Sequence, residues 1–226
     1  MSEPEQELPK NGIFFKRVKR WKLKFRYKLI ILLLLLLVIF FSYEEILTSV
    51  SYFLVKEDKQ FEFADALLVE EDFANKNALD FCHNLFKEGK CKEIFMVKVI
   101  NKSSIYSDRQ YEYLLKKTID SLYYNMPLTF INLDIEHPIT LNKSRIIIDT
   151  LNSRNFKKII LVTSGFHSKR SFLTYKKYFK DTDIKLSVFV YYSNYTPNNW
   201  WKNIEGFREV ITEYLKLVYY WLRGLL

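Results

Sequence analysis

The 226-residue chain is poor in three residue types that often define a class of protein: it has five glycines, five prolines and two cysteines. So little glycine and proline, beside 49% hydrophobic residues, excludes a disordered chain and allows a substantial buried core. The two cysteines, Cys82 and Cys91, are too few and too isolated for a zinc site. In an exported domain they could form a disulfide; otherwise they are two small buried side chains.

Several catalytic motifs are also absent. The chain has no G-x-G-x-x-G, no Walker loop, no G-x-S-x-G, no H-E-x-x-H and no C-x-x-C. These absences argue against a hydride-transfer enzyme and against an ATPase. The sequence identifies no cofactor.

Positive charge is concentrated at the start of the chain rather than spread over it. Residues 1–28 contain nine Lys and Arg against three Glu, so this stub carries +6 of the net charge of +9 and the remainder carries +3. Domains that bind nucleic acid usually carry a basic patch on their folded surface. Here the net positive charge lies mostly on the N-terminal arm, and the rest of the chain is nearly neutral, which argues against nucleic-acid binding. We therefore expect a basic cytoplasmic stub and no nucleic-acid partner.

An uninterrupted apolar run, LIILLLLLLVIFFSY at 29–43, follows the basic stub directly. Fifteen residues make a helix of about 22 Å, which is shorter than a hydrocarbon core of about 30 Å. Flanking aromatic and cationic residues can extend it. We interpret the run as an uncleaved transmembrane signal anchor, because no small-x-small cleavage site follows Phe41. A cleaved signal peptide and a buried core helix are the alternatives.

The basic stub also predicts an orientation. Because cytoplasmic flanks carry the excess of Lys and Arg, we expect the N-terminus in the cytoplasm and residues 44–226 outside the cytoplasmic (inner) membrane. The lipid bilayer is then the expected partner of residues 29–43, and other envelope proteins are possible further partners. Residues 44–63 are expected to form a short amphipathic helix and a polar linker.

From residue 64 onward, β-rich runs alternate with longer helical stretches. Such alternation predicts a parallel sheet covered on both faces. We expect residues 64–226 to form a Rossmann-like α/β domain with an open, mostly parallel five-stranded sheet and helices on both faces. The predicted strands are 66–69, 93–100, 128–133, 158–163 and 185–192, and the predicted helices are 72–88, 107–124, 140–154, 166–180 and 203–223.

The first candidate site is the segment IILVTSGFHSKRS at 159–171, where a buried strand runs into a helix. In open α/β sheets ligands bind beyond the carboxyl ends of the strands, and unpaired N–H groups at a helix start favour an anion. Thr163 and Ser164 would end the strand, and His167 and Arg170 would follow in the first helical turn. Because cations weaken a helix start unless a negative group compensates, we predict an anion site. The alternative is that Arg170 pairs with an acid of the protein and His167 caps the loop.

Further candidates lie on the same predicted rim, before the third predicted helix. Thr140 and Asn142 begin that helix, and Thr140 is also explained as its N-cap. Glu136 and His137 precede them. His137 is either a general base or an uninvolved surface residue.

Acidic residues follow the first predicted strand. Glu70, Glu71 and Asp72 could bind a divalent cation, but a favourable interaction with a helix start explains them as well, and we predict no metal site. Near the C-terminus, Glu213 and Lys216 are spaced for contact on one helix face. Trp200 and Trp201 fit core packing, or else a lid or lipid-facing patch.

The segment IILVTSGFHSKRSFLTYKKYF resembles the signature VTS-x-(F/Y)H-(M/S)-x-R of the SanA/ElyC/YdcF family of bacterial envelope proteins. EHPITLNKSRIIIDTL (136–151) is similar to the family's Thr-x-Asn helix entry, and NNWWKNIEGFREVITEYLKLVYYWLRG (198–224) is similar to its closing segment. The resemblance spans about 64–224 and implies a membrane-anchored domain outside the cytoplasmic membrane. The site residues it implies are Thr163, Ser164, His167 and Arg170, with Thr140 and Asn142 at the helix entry. For Glu213 with Lys216 it implies a pair that is either structural or faces the pocket, and Glu136 is a further ligand-binding candidate from its place on the same rim.

The first half of the domain departs from the family pattern. The family usually has Gly-rich loops after its first two strands, where this chain has LLVEEDFANKNA and KVINKSSIYSDRQ. Our first hypothesis is a protein that binds an anionic, phosphorylated envelope metabolite, with a role in cell-wall or lipid-carrier homeostasis. If it is an enzyme, it would act at a phosphoryl or glycosyl group, with His167 as acid/base and Arg170 as charge stabiliser. The second hypothesis is an inactive relative that serves as a scaffold of a membrane complex.

Overall fold

The computed structural model describes residues 24–70, 75–100, 108–123, 125–134 and 139–226. A short 3₁₀ turn, Trp200–Lys202, precedes the last helix. The helices and strands, in chain order, are α1 (Phe25–Tyr52), β1 (Ala64–Val69), α2 (Lys76–Lys87), β2 (Cys91–Ile100), α3 (Asp108–Leu122), β3 (Leu128–Asp134), α4 (Ile139–Ser153), β4 (Lys158–Ser164), α5 (Ser168–Phe179), β5 (Lys185–Tyr191) and α6 (Ile204–Leu222).

The five strands form one open sheet in the order β3-β2-β1-β4-β5, and every neighbouring pair is parallel. The predicted fold class is confirmed. The strands are apolar runs rather than alternating ones, as expected where both faces of a sheet are covered. Along the chain, β2 and β3 are added on one side of β1, and β4 and β5 are then added on its other side. The crevice at the carboxyl ends of β1 and β4 is therefore the switch point of the sheet, where such folds bind ligands.

Two apolar layers, one on each face of the sheet, make up most of the core. Side chains alternate between the two layers along each strand, since successive strand residues point to opposite faces. The first layer joins Leu67, Met96 and Ile160 of the sheet with Leu79 of α2 and Ile119 of α3. The second layer joins Leu68, Phe95 and Leu161 with Ile147 of α4 and Tyr175 of α5.

Both cysteines are free and lie in the first layer. Burial raises the pKa of Cys82, and the nearby Cys91 raises it further. Burial likewise raises the pKa of Cys91 to about 12. Of the two alternatives from the sequence, the structure has the small buried side chains, and their thiols are protonated at neutral pH.

Helix α1 differs from its prediction in length. The apolar anchor and the amphipathic stretch were expected as separate segments, but one helix runs from Phe25 to Tyr52. No glycine or proline interrupts this stretch, so nothing in the sequence ends the helix at residue 43. Among the described helices, α1 alone is long and apolar enough to cross a membrane, and none of its apolar window is buried. The core-helix alternative is therefore wrong.

The chain divides into two compact units, residues 1–43 and residues 44–226. Within the second unit, the end of α1 packs on the α/β domain. The indole N–H of Trp200 donates to the carbonyl of Leu47 at 3.1 Å, and Leu54 is buried with Trp200, Phe166 and Val210. Trp200 is thus a core residue, which was one of the alternatives from the sequence.

Candidate functional site

Four charged side chains from three parts of the chain meet at the carboxyl edge of the sheet. Glu70 directly follows β1, His167 and Arg170 lie at the start of α5, and Glu213 lies in the middle of α6. We call these four residues the charged cluster. Glu70 is only 3% exposed, and Arg170 and Glu213 are each 5% exposed. Charges so far from water require partners, and each finds them within the cluster.

Arg170 makes the densest set of contacts. Its Nε donates to Glu213 Oε2 at 2.8 Å and its Nη2 to Glu213 Oε1 at 3.1 Å, which is a bidentate pair. Its Nη1 donates to the hydroxyl of Thr140 at 2.8 Å. The pairing of Arg170 with an acid, an alternative from the sequence, is therefore present. A bidentate guanidinium–carboxylate pair fixes both side chains geometrically.

His167 lies between the two carboxylates. Its Nε2 is 3.4 Å from Glu70 Oε1, and its Nδ1 is 3.2 Å from Glu213 Oε2. Nδ1 also lies 2.6 Å from Nη2 of Arg170. One nitrogen cannot accept from Arg170 and donate to Glu213 at once. With a carboxylate on each side, the protonated imidazolium is favoured and Nδ1–H donates to Glu213.

The pKa values of the cluster agree with a protonated histidine. Burial lowers the pKa of His167, but the charge of Glu70 and the contact with Glu213 outweigh both this effect and the repulsion of Arg170, and the pKa rises to about 9. Burial raises the pKa of Glu213, yet His167 and Arg170 hold it well below its usual range. Glu70 follows the same pattern, and its pKa is lowered chiefly by His167 against the effect of burial.

Glu70 is the least well satisfied member of the cluster. Within the described part of the chain, neither of its carboxylate oxygens accepts a well-directed hydrogen bond, and the hydroxyls of Thr163, Ser171 and Tyr175 are also buried without one. Lys143 of α4 is nearby, because its Nζ donates to the backbone carbonyl of Glu70 at 3.0 Å. Opposite charge, chiefly that of His167, is therefore the main interaction that holds Glu70.

The start of α5 does not offer the free backbone groups that were expected there. The N–H groups of His167 and Ser168 donate to the carbonyls of Ser164 and Gly165, and the N–H of Lys169 donates to the carbonyl of Leu54. The expectation of unpaired N–H groups for an anion at this helix start is wrong at these positions. The first two of these N–H groups pair within the turn that leads into the helix, and the third pairs with the segment following α1, a contact between parts of the chain far apart in sequence.

A pocket of about 210 Å³ opens where the loops after β4 and β5 leave the sheet. Gly165 is required in its wall, since an added Cβ would lie 2.1 Å from Cε1 of Tyr192. The described lining is rich in aromatic rings and hydroxyls and comprises Asn75, Ser164, Gly165, Phe166, Tyr191, Tyr192, Ser193, Tyr195 and Glu209.

The predicted site residues fall into different places. Thr140 lies one residue inside α4 rather than at its N-cap, and its hydroxyl accepts from Arg170. Thr163 is buried next to Val162, whose carbonyl accepts from the N–H of Glu70, whereas Ser164 lines the pocket and donates to Glu209 at 3.4 Å.

The remaining predicted site residues lie in the cluster, on α4 or outside the described residues. Glu213 is central to the cluster, and the expected contact with Lys216 is confirmed at 2.9 Å. Asn142 lies partly buried on α4. Glu136 lies outside the described residues, as do His137, Glu71 and Asp72.

Sequence reasoning missed the roles of Glu70 and Lys143. Glu70 was expected to precede a helix beginning at residue 72, but α2 begins at Lys76, with Asn75 as its N-cap. The side chain of Asn75 accepts from the N–H groups of residues 77 and 78, which is the usual signature of a helix start. Within the described residues, no group of three or more His, Cys, Asp or Glu side chains could hold a metal ion.

Compared with known proteins, the chain matches no family model, no curated protein and no solved structure.

Proposed function

We propose that this chain is a membrane-anchored protein whose α/β domain binds a small anionic metabolite at the switch point of its sheet. The observation that carries the proposal is an excess of cations around a buried cluster. His167 and Arg170, with the contacting Lys143 and Lys216, oppose two carboxylates. An anion that reaches this group would complete the charge balance.

His167 is the member that a ligand could reach. Its side chain is 15% exposed, against 5% for Arg170. The residues just before it, Ser164 to Phe166, line the pocket. An anionic group at His167 could therefore belong to a molecule whose neutral part occupies the pocket, where aromatic faces and hydroxyls suit a sugar-like or other polyhydroxylated portion.

The envelope role rests on the resemblance to the SanA/ElyC/YdcF family and on the apolar helix α1. The ligand would then be a phosphorylated envelope metabolite, and the role would lie in cell-wall or lipid-carrier homeostasis or the permeability barrier. Should the protein be an enzyme, we propose that His167 exchanges a proton with a phosphoryl or glycosyl oxygen. Arg170, whose donors are engaged with Glu213 and Thr140, would act by holding His167 and Glu213 in place.

A second candidate function is that of a scaffold in a membrane complex. The observation in its favour is that Arg170 and the first N–H groups of α5 already have protein partners. In this case the cluster would hold α4, α5 and α6 together and would bind nothing.

A thermal-shift experiment on the full chain in detergent micelles separates the two functions. The ligands are inorganic phosphate, pyrophosphate, a short polyprenyl phosphate and a nucleotide sugar. A ligand at a hundred times its Kd adds about 2.7 kcal/mol, or roughly 5–10 °C in a domain of this size. We expect a shift that His167→Gln removes and that the exposed Lys180→Gln retains. A folded protein that responds to none of these compounds would favour the scaffold.

A further inference from the structure

Helix α6 is apolar on two opposite sides. One side faces the domain, and its buried residues are Gly206, Val210, Glu213 and Tyr220. The other side carries six large apolar residues at spacings of three and four, which places them in one row. We call this row the outer stripe, and it consists of Ile204, Phe207, Ile211, Leu215, Val218 and Leu222.

The outer stripe is exposed along its whole length. Exposure ranges from 41% at Ile211 to 73% at Ile204, with Leu215 at 68% and Leu222 at 69%. A helix that packs on a domain normally exposes charged and polar residues to water. Apolar residues on ordinary protein surfaces are scattered singly, whereas these six form a continuous row. The stripe therefore needs a partner that removes it from water.

The covalent structure places a lipid surface within reach of the stripe. Residues that follow the apolar run contact α6 directly: the Tyr214 hydroxyl donates to the carbonyl of Val50 at 2.5 Å, and the Phe53 ring stacks on Tyr214 with centroids 5.9 Å apart. Residues 44 to 53 are about ten positions, or some 15 Å of helix. If a bilayer is crossed by the apolar run, this covalent connection limits how far α6 can lie from the lipid.

The residues around the outer stripe suit the boundary between lipid and water. Tyr219 is 50% exposed and Trp221 is 70% exposed at the end of the helix. Arg208 borders the stripe, and Arg223 caps the end of the helix. Amphipathic helices that lie in a membrane interface combine apolar side chains with aromatic rings at headgroup level and flanking cations that attract anionic lipids.

We infer that the outer stripe of α6 lies in the interfacial layer of the bilayer that anchors the chain. The inference rests on the proposed membrane anchoring and adds the surface by which the domain meets the lipid. Glu213 is on the opposite side of the same helix, so the charged cluster would stand about one helix diameter, ~10 Å, from the headgroups. A ligand that carries a lipid tail could then present its anionic head to the cluster without leaving the membrane.

Spin labels on the full chain in nanodiscs of phosphatidylethanolamine and phosphatidylglycerol test the inference. Cys82 and Cys91 are buried, so a single introduced cysteine can be labelled selectively. Leu215→Cys reports on the stripe, and Glu205→Cys, exposed on another side of α6, is the matched control. Leu35→Cys reports on the anchor. The measurement is the collision rate of each label with oxygen, which concentrates in lipid, and with a water-soluble nickel chelate.

We expect the labels at positions 35 and 215 to favour oxygen over the nickel chelate by several fold, and the label at position 205 to show the reverse. A label at position 215 that behaves as in water, while the one at position 35 is in lipid, overturns the inference and leaves the anchor intact. Aqueous behaviour at position 35 overturns the anchoring itself. Spin–spin broadening at position 215 that disappears on dilution with unlabelled chain would show a second copy on the stripe, and would also overturn the inference.

Discussion

Nη2 of Arg170 lies 2.6 Å from Nδ1 of His167, and the carboxylate of Glu213 contacts both side chains. Carboxylates neutralise these two neighbouring groups from the sides. Glu213 accepts two hydrogen bonds from Arg170. Glu70 Oε1 lies 3.4 Å from Nε2 of His167. The members of the cluster therefore depend on one another. If one charge is lost, the remaining charges stay buried without compensation.

Replacing Glu213 by Gln is expected to destabilise the domain severely. The change keeps the shape of the side chain but leaves Arg170 and His167 buried without their shared counter-charge. Loss of one partner from a buried ion pair costs about 3–5 kcal/mol. Urea unfolding of the full chain in micelles measures this free energy. Glu205→Gln, on the exposed part of the same helix, is the control and should change it by less than about 0.5 kcal/mol; equal effects of the two variants would contradict the central role of Glu213.

The stability of the domain should fall at alkaline pH because of His167. Its pKa is about 9 in the folded chain and ordinarily 6.5, so the folded state holds the proton more tightly. The resulting stabilisation is complete below pH 6.5 and is lost as pH rises through 9. Its full size is of the order of 3 kcal/mol.

Unfolding of the wild type and of His167→Gln between pH 6 and pH 10 measures this dependence. The wild type should lose stability across the window, and the variant should show a flatter profile. An NMR titration of the imidazole gives the pKa directly. A midpoint at or below 6.5 would mean that the histidine is neutral in the cluster and that Nδ1 accepts from Arg170.

Gly165→Ala is expected to destabilise the domain and to close the pocket. The new Cβ would lie 2.1 Å from Cε1 and 2.6 Å from Cζ of Tyr192, so the ring would have to move. Overpacking of this kind costs about 1–3 kcal/mol. The double variant Gly165→Ala/Tyr192→Ala removes the clash, and it should be destabilised by less than the two single changes together. Strict additivity in urea unfolding would show that the two positions do not meet.

The two cysteines should react only after the domain unfolds. Both are buried, and burial raises the pKa of Cys91 to about 12 and that of Cys82 also. Because the thiolate is the reactive form, we expect no modification by a thiol reagent under native conditions and two thiols per chain in denaturant. The absence of free thiols in denaturant without reductant would show that the pair is oxidised in the protein as isolated.

The alternation of elements could be predicted from the sequence because it depends on local patterns. Apolar runs such as KIILVT predict buried strands whatever lies beside them, and the parallel sheet follows from their alternation with helices. The Glu213–Lys216 contact was predictable for the same reason, since helical spacing alone brings the two side chains together. Helix limits were less predictable: α2 begins at Lys76 because Asn75 caps it, and α1 continues past residue 43 because nothing interrupts it.

By itself, the sequence determined the apolar run at 29–43, the order of strands and helices, and the presence of His167 and Arg170 just beyond the fourth strand. These features are local, and neighbouring residues suffice to produce them. Only the tertiary structure decided that Glu70 and Glu213 neutralise the two cations, that the carbonyl of Leu54 accepts from the N–H of Lys169 at the start of α5, and that the outer stripe of α6 faces away from the core. Each of these is a contact, or the lack of one, between segments far apart in the chain, and it is fixed by the packing of whole elements rather than by any periodicity within them.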